Sequence, residues 1–268
     1  GKQIHDEIVN RGLLEKNVTL GNALVDMYVK CGMLAKALEV LEDLPMRNVI
    51  SWSTLISGYT QQGQGSQALG FFERMQGEGI SPDEVTYTCI LKACGLIGAL
   101  DKGKQIHDEV TKQGLLEKSL VLGNSLVDMY VKCGLLMKAQ QVLEELPVRD
   151  VITWSTLIAG YNRQEQGDKA LGCFQRMQRE DLSPNVVTLV CILNACSITR
   201  SIDKGKQIHD NIINRGLLEK HIGLGNALVD MYAKCGALEK AWRVLEELPA
   251  RDVVSWNALI TGYAQLEQ

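Results

Sequence analysis

Apolar residues recur along this chain at helical spacing, in short bursts separated by fixed breaks. In residues 18–48, Leu20, Leu24, Met27 and Tyr28 form one stripe, Cys31-Gly32 interrupts it, and Leu34, Ala37, Leu38 and Leu41 resume it. Such spacing puts apolar side chains on one face of a helix. In residues 49–83 the first stripe is Trp52, Leu55, Ile56 and Tyr59, and the second Ala68, Leu69, Phe72 and Met75. No stretch sustains strand alternation, so the pattern predicts helical hairpins throughout. Gly32, Gly134 and Gly236 suit the left-handed residue after a helix C-terminus. All five prolines, Pro45, Pro82, Pro147, Pro184 and Pro249, come just before a new apolar run and read as helix stops.

The hairpins belong to a longer repetition. "GKQIH" stands at 1, 103 and 205, "GLLEK" at 12, 114 and 216, and "LVDMY" at 24, 126 and 228, always at an interval of 102 residues. A catalytic group is needed once per site, so restating a segment along the chain points to a repeated surface. Unit starts at Val18, Val49 and Glu84 give lengths of 31, 35 and 36 residues, which together fill the period. Seven complete units follow, 18–48, 49–83, 84–119, 120–150, 151–185, 186–221 and 222–252, with half-units at 1–17 and 253–268. One hairpin cannot bury its own apolar stripe, but stacked hairpins share a continuous core. The expectation is an all-α helical-hairpin solenoid over 1–268, first helices on one face and second helices on the other. Neither end shows an obvious polar cap, as in a piece cut from a longer array.

"VISWSTLISGYTQQGQGSQALGFFERMQGEGISPD" (49–83) closely resembles a pentatricopeptide repeat (PPR). The alternating lengths resemble the PLS subclass of plant organellar proteins: 35-residue units its P type, "EVTYTCILKACGLIGALDKGKQIHDEVTKQGLLEKS" (84–119) its L type, and "LVLGNSLVDMYVKCGLLMKAQQVLEELPVRD" (120–150) its S type. The resemblance covers the whole chain and implies a right-handed superhelix that binds single-stranded RNA sequence-specifically, one base per unit. It assigns reading to the fifth and last residues of each unit: Asn22 with Asn48, Ser53 with Asp83, Thr88 with Ser119, Asn124 with Asp150, Ser155 with Asn185, Val190 with His221, and Asn226 with Asp252, while Asn257 opens an eighth pair. It assigns sandwiching of the bases to the second residues, Ile50, Val85, Val121, Ile152, Val187 and Val254; Thr19 and Gly223 depart from that pattern.

The chemistry of those pairs has its own logic. A carboxylate only accepts hydrogen bonds, which suits the ring N–H of guanine or uracil, while an amide can donate to adenine or cytosine. A small hydroxyl at the fifth position leaves room for a purine, and an Asn fits a pyrimidine. The pairs predict a target of 5′-Y-G-R-U-A-N-U-Y-3′, with Thr88–Ser119 only leaning to purine and Val190–His221 discriminating little.

A net charge of −4 and a pI near 5.7 run against the basic excess usual in RNA binders. Placement answers this: Lys30, Lys132 and Lys234 each follow a reading Asn by eight residues, Arg163 stands likewise to Ser155, and all four are expected at phosphates. Acids such as Glu144, Glu145, Glu246 and Glu247 are expected on second helices, away from them. "HDE" at 5–7 and 107–109 imitates a zinc deaminase, but no Pro precedes a Cys to supply its P-C-x-x-C partner. No enzyme, metal or cofactor site is expected. The eight cysteines form no C-x-x-C and read as core packing in a reducing compartment, and Trp52, Trp154 and Trp256 read as core anchors. No apolar run is long enough for a membrane span. The resemblance points to mitochondrion or chloroplast, and allows organellar editing cofactor proteins or a C-terminal extension as further partners. The rival reading is a protein-binding scaffold, for which paired Asn, Ser and Asp at these positions have no evident use.

Overall fold

The computed structural model describes residues 2–14 and 17–266. Residues 1, 15 and 16 of the first half-unit, and 267 and 268 of the last, lie outside the described residues. Among the described residues there are sixteen α-helices and no strands. They form two compact segments, 1–148 and 149–268. The first holds α1 (Lys2–Asn10), α2 (Val18–Lys30), α3 (Leu34–Asp43), α4 (Val49–Gln61), α5 (Gly65–Gly77), α6 (Glu84–Ile97), α7 (Leu100–Lys112), α8 (Leu120–Lys132) and α9 (Leu136–Glu145). The second holds α10 (Val151–Arg163), α11 (Gly167–Arg179), α12 (Val186–Thr199), α13 (Ile202–Asn214), α14 (Ile222–Lys234), α15 (Leu238–Glu247) and α16 (Val253–Leu266). None of these helices is long and apolar enough to cross a membrane.

Each even-numbered helix starts where the repeat lengths put a unit start, and local chemistry explains why. Asn17, Asn48, Asp83, Ser119, Asp150 and Asn185 lie just outside the helix, and each side-chain oxygen accepts the N–H three residues on. That satisfies one of the orphan donors of the first turn and contributes about 1 kcal/mol per cap. After α2, α8 and α14, Gly32, Gly134 and Gly236 turn the chain at φ +73°, +78° and +77°.

Within residues 1–148, α2, α4, α6 and α8 pack in succession, and α3, α5 and α7 each pack between their own first helix and the next; within 149–268, α10, α12, α14 and α16 pack in succession with α11, α13 and α15 between them. Trp52, Trp154, Tyr87, Tyr130 and Tyr161 are fully buried in these cores. Burial at roughly 25 cal/mol per Å² of apolar surface makes these large rings the main anchors. Two expectations need correction. Trp256 is 40 % exposed, with Trp242 of α15 edge-on to it at 6.2 Å, whereas Trp52 is fully buried with Phe71 and Arg74 of α5 against it. Cys31 is exposed at the end of α2 and is not core; Cys94 and Cys196 are buried, with thiols pushed up to about 11 by burial.

The repeated "GKQIH" has a packing role. The Nδ1 atoms of His5, His107 and His209 lie 2.9, 2.9 and 3.0 Å from the hydroxyls of Tyr28, Tyr130 and Tyr232. Each pair joins a second helix to the next first helix.

Candidate nucleic-acid interface

The hydrophobic effect should hide large aliphatic side chains, yet the second position of most units stays exposed in the same register. Ile50, Val85 and Val121 in the first segment are 55–56 % exposed, and Ile152, Val187 and Val254 in the second 58–60 %. A scattered exposed aliphatic is ordinary; near-constant exposure at six matching positions is not. The helix register sets it. The residue that follows, such as Ser51, Thr86, Thr153, Thr188 or Ser255, is fully buried beneath the cap, so its predecessor is turned outward. Thr19 and Gly223 are exposed in the same register, and a side chain added at Gly223 would meet open space.

The last residue of six of the seven complete units, all but His221, caps the next first helix with its side chain, a role the sequence reading missed. Five of these residues are followed three positions later by Ser or Thr, at Ser51, Thr86, Thr153, Thr188 and Ser255, and that pattern was the available signal. It also corrects the argument against a scaffold: any helical array needs caps, so Asp and Asn at unit ends do not alone indicate base reading. What matters is what the cap leaves over. Asp83 takes the Thr86 N–H at 2.8 Å and hydroxyl at 2.6 Å on one oxygen, Oδ1. Asn185 takes the Thr188 N–H and hydroxyl, both at 2.9 Å, on Oδ1. The second carboxylate oxygen and the NH₂ group are the respective polar edges that remain.

The pairs differ in how closely they meet. Asn22 Nδ2 donates to Asn48 Oδ1 at 3.4 Å, and Asn226 Nδ2 donates to both oxygens of Asp252 at 3.1 Å. The Oδ1 atoms of Asn22 and Asn226 are enclosed and unpartnered. Hydrogen bonds from the Ser255 backbone N–H and then from Asn226 hold the Asp252 carboxyl below the usual carboxylate range, so it is an obligate acceptor at neutral pH. Ser155 meets Asn185 through Thr188, hydroxyl to hydroxyl at 2.6 Å. Ser53 turns its hydroxyl to the Ile50 carbonyl at 3.2 Å and has no direct bond to Asp83. Thr88 Oγ1 is enclosed and unpartnered, while Ser119 accepts the Leu122 N–H and donates to Glu84 Oε1 at 2.6 Å. Val190 is half-buried, His221 makes no side-chain cap, and Asn257 is exposed on α16. Asn124 is half-buried on α8, and Asp150 caps α10.

Within 149–268 part of this set lines a groove of about 560 Å³ formed by α12, α14 and α16, whose walls include Val190, Gly223, Asn226, Val254, Asn257 and Lys234. A second opening of about 640 Å³ shares Asn194, Asp230 and Lys234 with it and adds Arg163. Two expected phosphate contacts therefore border one space. The lysines are not free, however. Lys30, Lys132 and Lys234 pair with Asp26, Asp128 and Asp230 of their own helices at 2.7, 2.7 and 2.9 Å. Glu144, Glu145, Glu246 and Glu247 do fall on the second helices α9 and α15, but a four-residue spacing puts these three Asp on the same face as the Lys. Arg163 is exposed and makes no ion pair among the described residues. Among those residues, no cluster of three or more His, Cys, Asp or Glu is arranged to hold a metal ion.

Comparison with known proteins accords with this layout. The PPR repeat family matches residues 47–95 and 149–197, and the PPR repeat matches 22–49, 85–115, 124–151, 226–253 and 254–268. Three Arabidopsis thaliana pentatricopeptide repeat-containing proteins are similar over nearly the whole chain. One is 41 % identical over 98 % of this chain and 36 % of its own length; a chloroplastic one is 35 % identical over 99 % and 42 %; a mitochondrial one is 38 % identical over 99 % and 41 %. The chain thus spans about two fifths of the relatives it matches. The crystal structure of the pentatricopeptide repeat protein PPR10 in complex with an 18-nt psaJ RNA element superposes with a TM-score of 0.81 at 20 % identity, covering all of this chain and 40 % of that one. PPR10 from maize alone gives 0.77 at 21 %, with the same coverage. Repeat matches along most of its length and relatives above one third identity make this chain a member of the pentatricopeptide repeat family, folded as a helical-hairpin solenoid.

Proposed function

We propose that this chain binds single-stranded RNA along its first helices, one nucleotide per unit, as the recognition part of an organellar RNA-editing or RNA-processing factor. The observation that carries this reading is the row of six β-branched side chains left 55–60 % exposed at one register. Flat, stiff aliphatic walls between successive reading residues suit the faces of bases, which bind sequence-tolerantly by stacking. The cap residues then supply the selective edge, and Lys30, Lys132, Arg163 and Lys234 the phosphate contacts. The RNA-bound PPR10 neighbour adds support by analogy of fold.

In this reading the 31-, 35- and 36-residue units are S, P and L types of a PLS array, the target is 5′-Y-G-R-U-A-N-U-Y-3′, and the host compartment is a mitochondrion or chloroplast, as in relatives named for each. Editing cofactor proteins and a C-terminal extension are the further partners it allows. Selection from randomised single-stranded RNA tests it. Enrichment of sequences with the U-A step supports the assignment. A flat profile would favour the scaffold instead.

A further inference from the structure

The thirteenth residue of a unit is basic at Lys30, Lys132, Arg163 and Lys234, neutral at Gln61 in unit 49–83, and apolar in the 36-residue units, where it is Leu96, 50 % exposed, and Ile198, 39 % exposed. A row of phosphate contacts therefore lapses at those units. In unit 84–119 a cation stands one turn earlier. Lys92 is exposed on α6, four residues after Thr88 and so on the same helix face. Its copy one period later, Asn194 on α12, lines both openings beside Lys234 and Asn226 or Arg163, which identifies the register as groove-facing. Lys92 makes no ion pair among the described residues, and its counterparts on the flanking first helices are Ser57 and Asp128, the latter already held by Lys132. Its charge is thus uncompensated where the three other lysines are each neutralised by an Asp.

We infer that Lys92 is a further RNA-contacting cation, holding a phosphate of the nucleotide read by unit 84–119. The inference rests on the RNA-binding reading above. With the apolar Leu96 unable to hold the backbone, the strand is held at this unit from the ninth residue in place of the thirteenth. Nothing equivalent exists at Asn194, so the second 36-residue unit lacks the contact.

The test is the salt dependence of binding to single-stranded RNA for the parent chain, Lys92→Gln and Asn194→Lys. Gln and Lys have similar helix propensity, and a thermal melt verifies folding. Each phosphate contact on a single strand adds about 0.7 to the slope of log affinity against log salt. Lys92→Gln should lower the slope by about 0.7, so that raising salt from about 50 to 200 mM weakens it about 2.6-fold less than the parent, for all RNAs alike. Asn194→Lys should raise the slope by as much. An unchanged slope in Lys92→Gln, or a loss confined to one base at that unit, overturns the inference while RNA binding by the parent stands. If the parent binds no RNA, both readings fall.

Discussion

The Oδ1 atom of Asn185 lies 2.9 Å from both the backbone N and the hydroxyl of Thr188. The acceptor half of the amide is committed to the cap of α12, and the NH₂ half has no protein partner among the described residues. An Asp here keeps the cap, since Asn and Asp are near-equal N-caps, and exchanges only the outward group. Asn185→Asp should therefore leave stability unchanged and move preference at one base from A to G, by about 1–3 kcal/mol on the scale of bidentate base contacts. Unit 49–83, with Ser53 and Asp83, already has the guanine combination and is the internal control. Competition binding reads the shift; equal loss for every base would remove Asn185 as a reader.

The three Lys–Asp pairs yield a two-sided prediction. Surface pairs of this spacing contribute only about 0.3–0.5 kcal/mol each to folding. Replacing Asp26, Asp128 and Asp230 together by Asn should cost little stability and strengthen RNA binding, with the slope against salt nearly unchanged. Replacing Lys30, Lys132 and Lys234 by Ala should weaken all RNAs alike and lower that slope by about 2. Fluorescence anisotropy over a salt series distinguishes the two. If the Ala variant alters base preference at constant slope, these lysines do not contact phosphates.

Much of this was legible in the sequence because the fold is built from local signals. The repeat lengths and prolines fixed the helix starts, although the Asn, Asp or Ser cap before most of them went unread, and glycines fixed several of the stops. The spacing of Asp26 from Lys30 was equally plain, yet the pairing was not read from it. Other features were not readable in principle. Val49 and Ile50 look alike as letters, and only the helix register, set by the Asn48 cap, half-buries the first and exposes the second. The histidine–tyrosine pairs span 23 residues and two helices, so their contact depends on how hairpins stack.

Three left-handed turns differ between periods. Gly63, Gly79 and Gly98 have φ of +75°, +74° and +69°, while their copies Glu165, Asp181 and Arg200 hold +56°, +55° and +52°. A side chain in that region costs about 1–2 kcal/mol, part of which is offset by the lower entropy of the non-glycine unfolded chain. Glu165→Gly, Asp181→Gly and Arg200→Gly should each stabilise by about 1 kcal/mol net, and Gly63→Glu should destabilise comparably. Denaturant midpoints measure this. Stabilisation absent in all three would mean that the strain is relieved elsewhere.

Acid should weaken the fold through His107 and His209. Burial, more than any neighbouring charge, lowers both below the ordinary histidine range; Lys138 adds to this at His107 and Lys240 at His209, against Asp108 and Glu145, and Asp210 and Glu247. The native state then binds fewer protons than the unfolded chain below about pH 6.5. The stabilising contribution of the neutral rings is complete above that value and is lost as pH falls through it. Melting temperature should drop between pH 7.5 and 5.5, and the double variant His107→Gln, His209→Gln should melt lower at pH 7.5 but with a flatter dependence. An equally steep dependence in the variant would assign the acid sensitivity to other groups.

Gly223 is the gap in the exposed aliphatic row, and filling it tests what the row does. It sits at the second position of α14, where an added side chain meets open space, so no repacking is required. Valine also has a higher helix propensity than glycine, by a few tenths of a kcal/mol, so folding should not suffer. If the row forms the walls between successive bases, Gly223→Val supplies the missing wall beside the nucleotides read at Val190–His221 and Asn226–Asp252. Aromatic platforms contribute about 1–3 kcal/mol per base; an aliphatic wall should give about 1 kcal/mol, roughly a fivefold gain in affinity. The slope against salt should stay constant, because no phosphate contact changes. Val254→Gly, which opens a gap where the row is complete, should cost a similar amount of affinity. Because a helix glycine also weakens folding, its binding must be measured well below its melting temperature. Gly223→Val with parental affinity would show that this face does not sandwich bases, and would leave the exposed aliphatics to a protein partner.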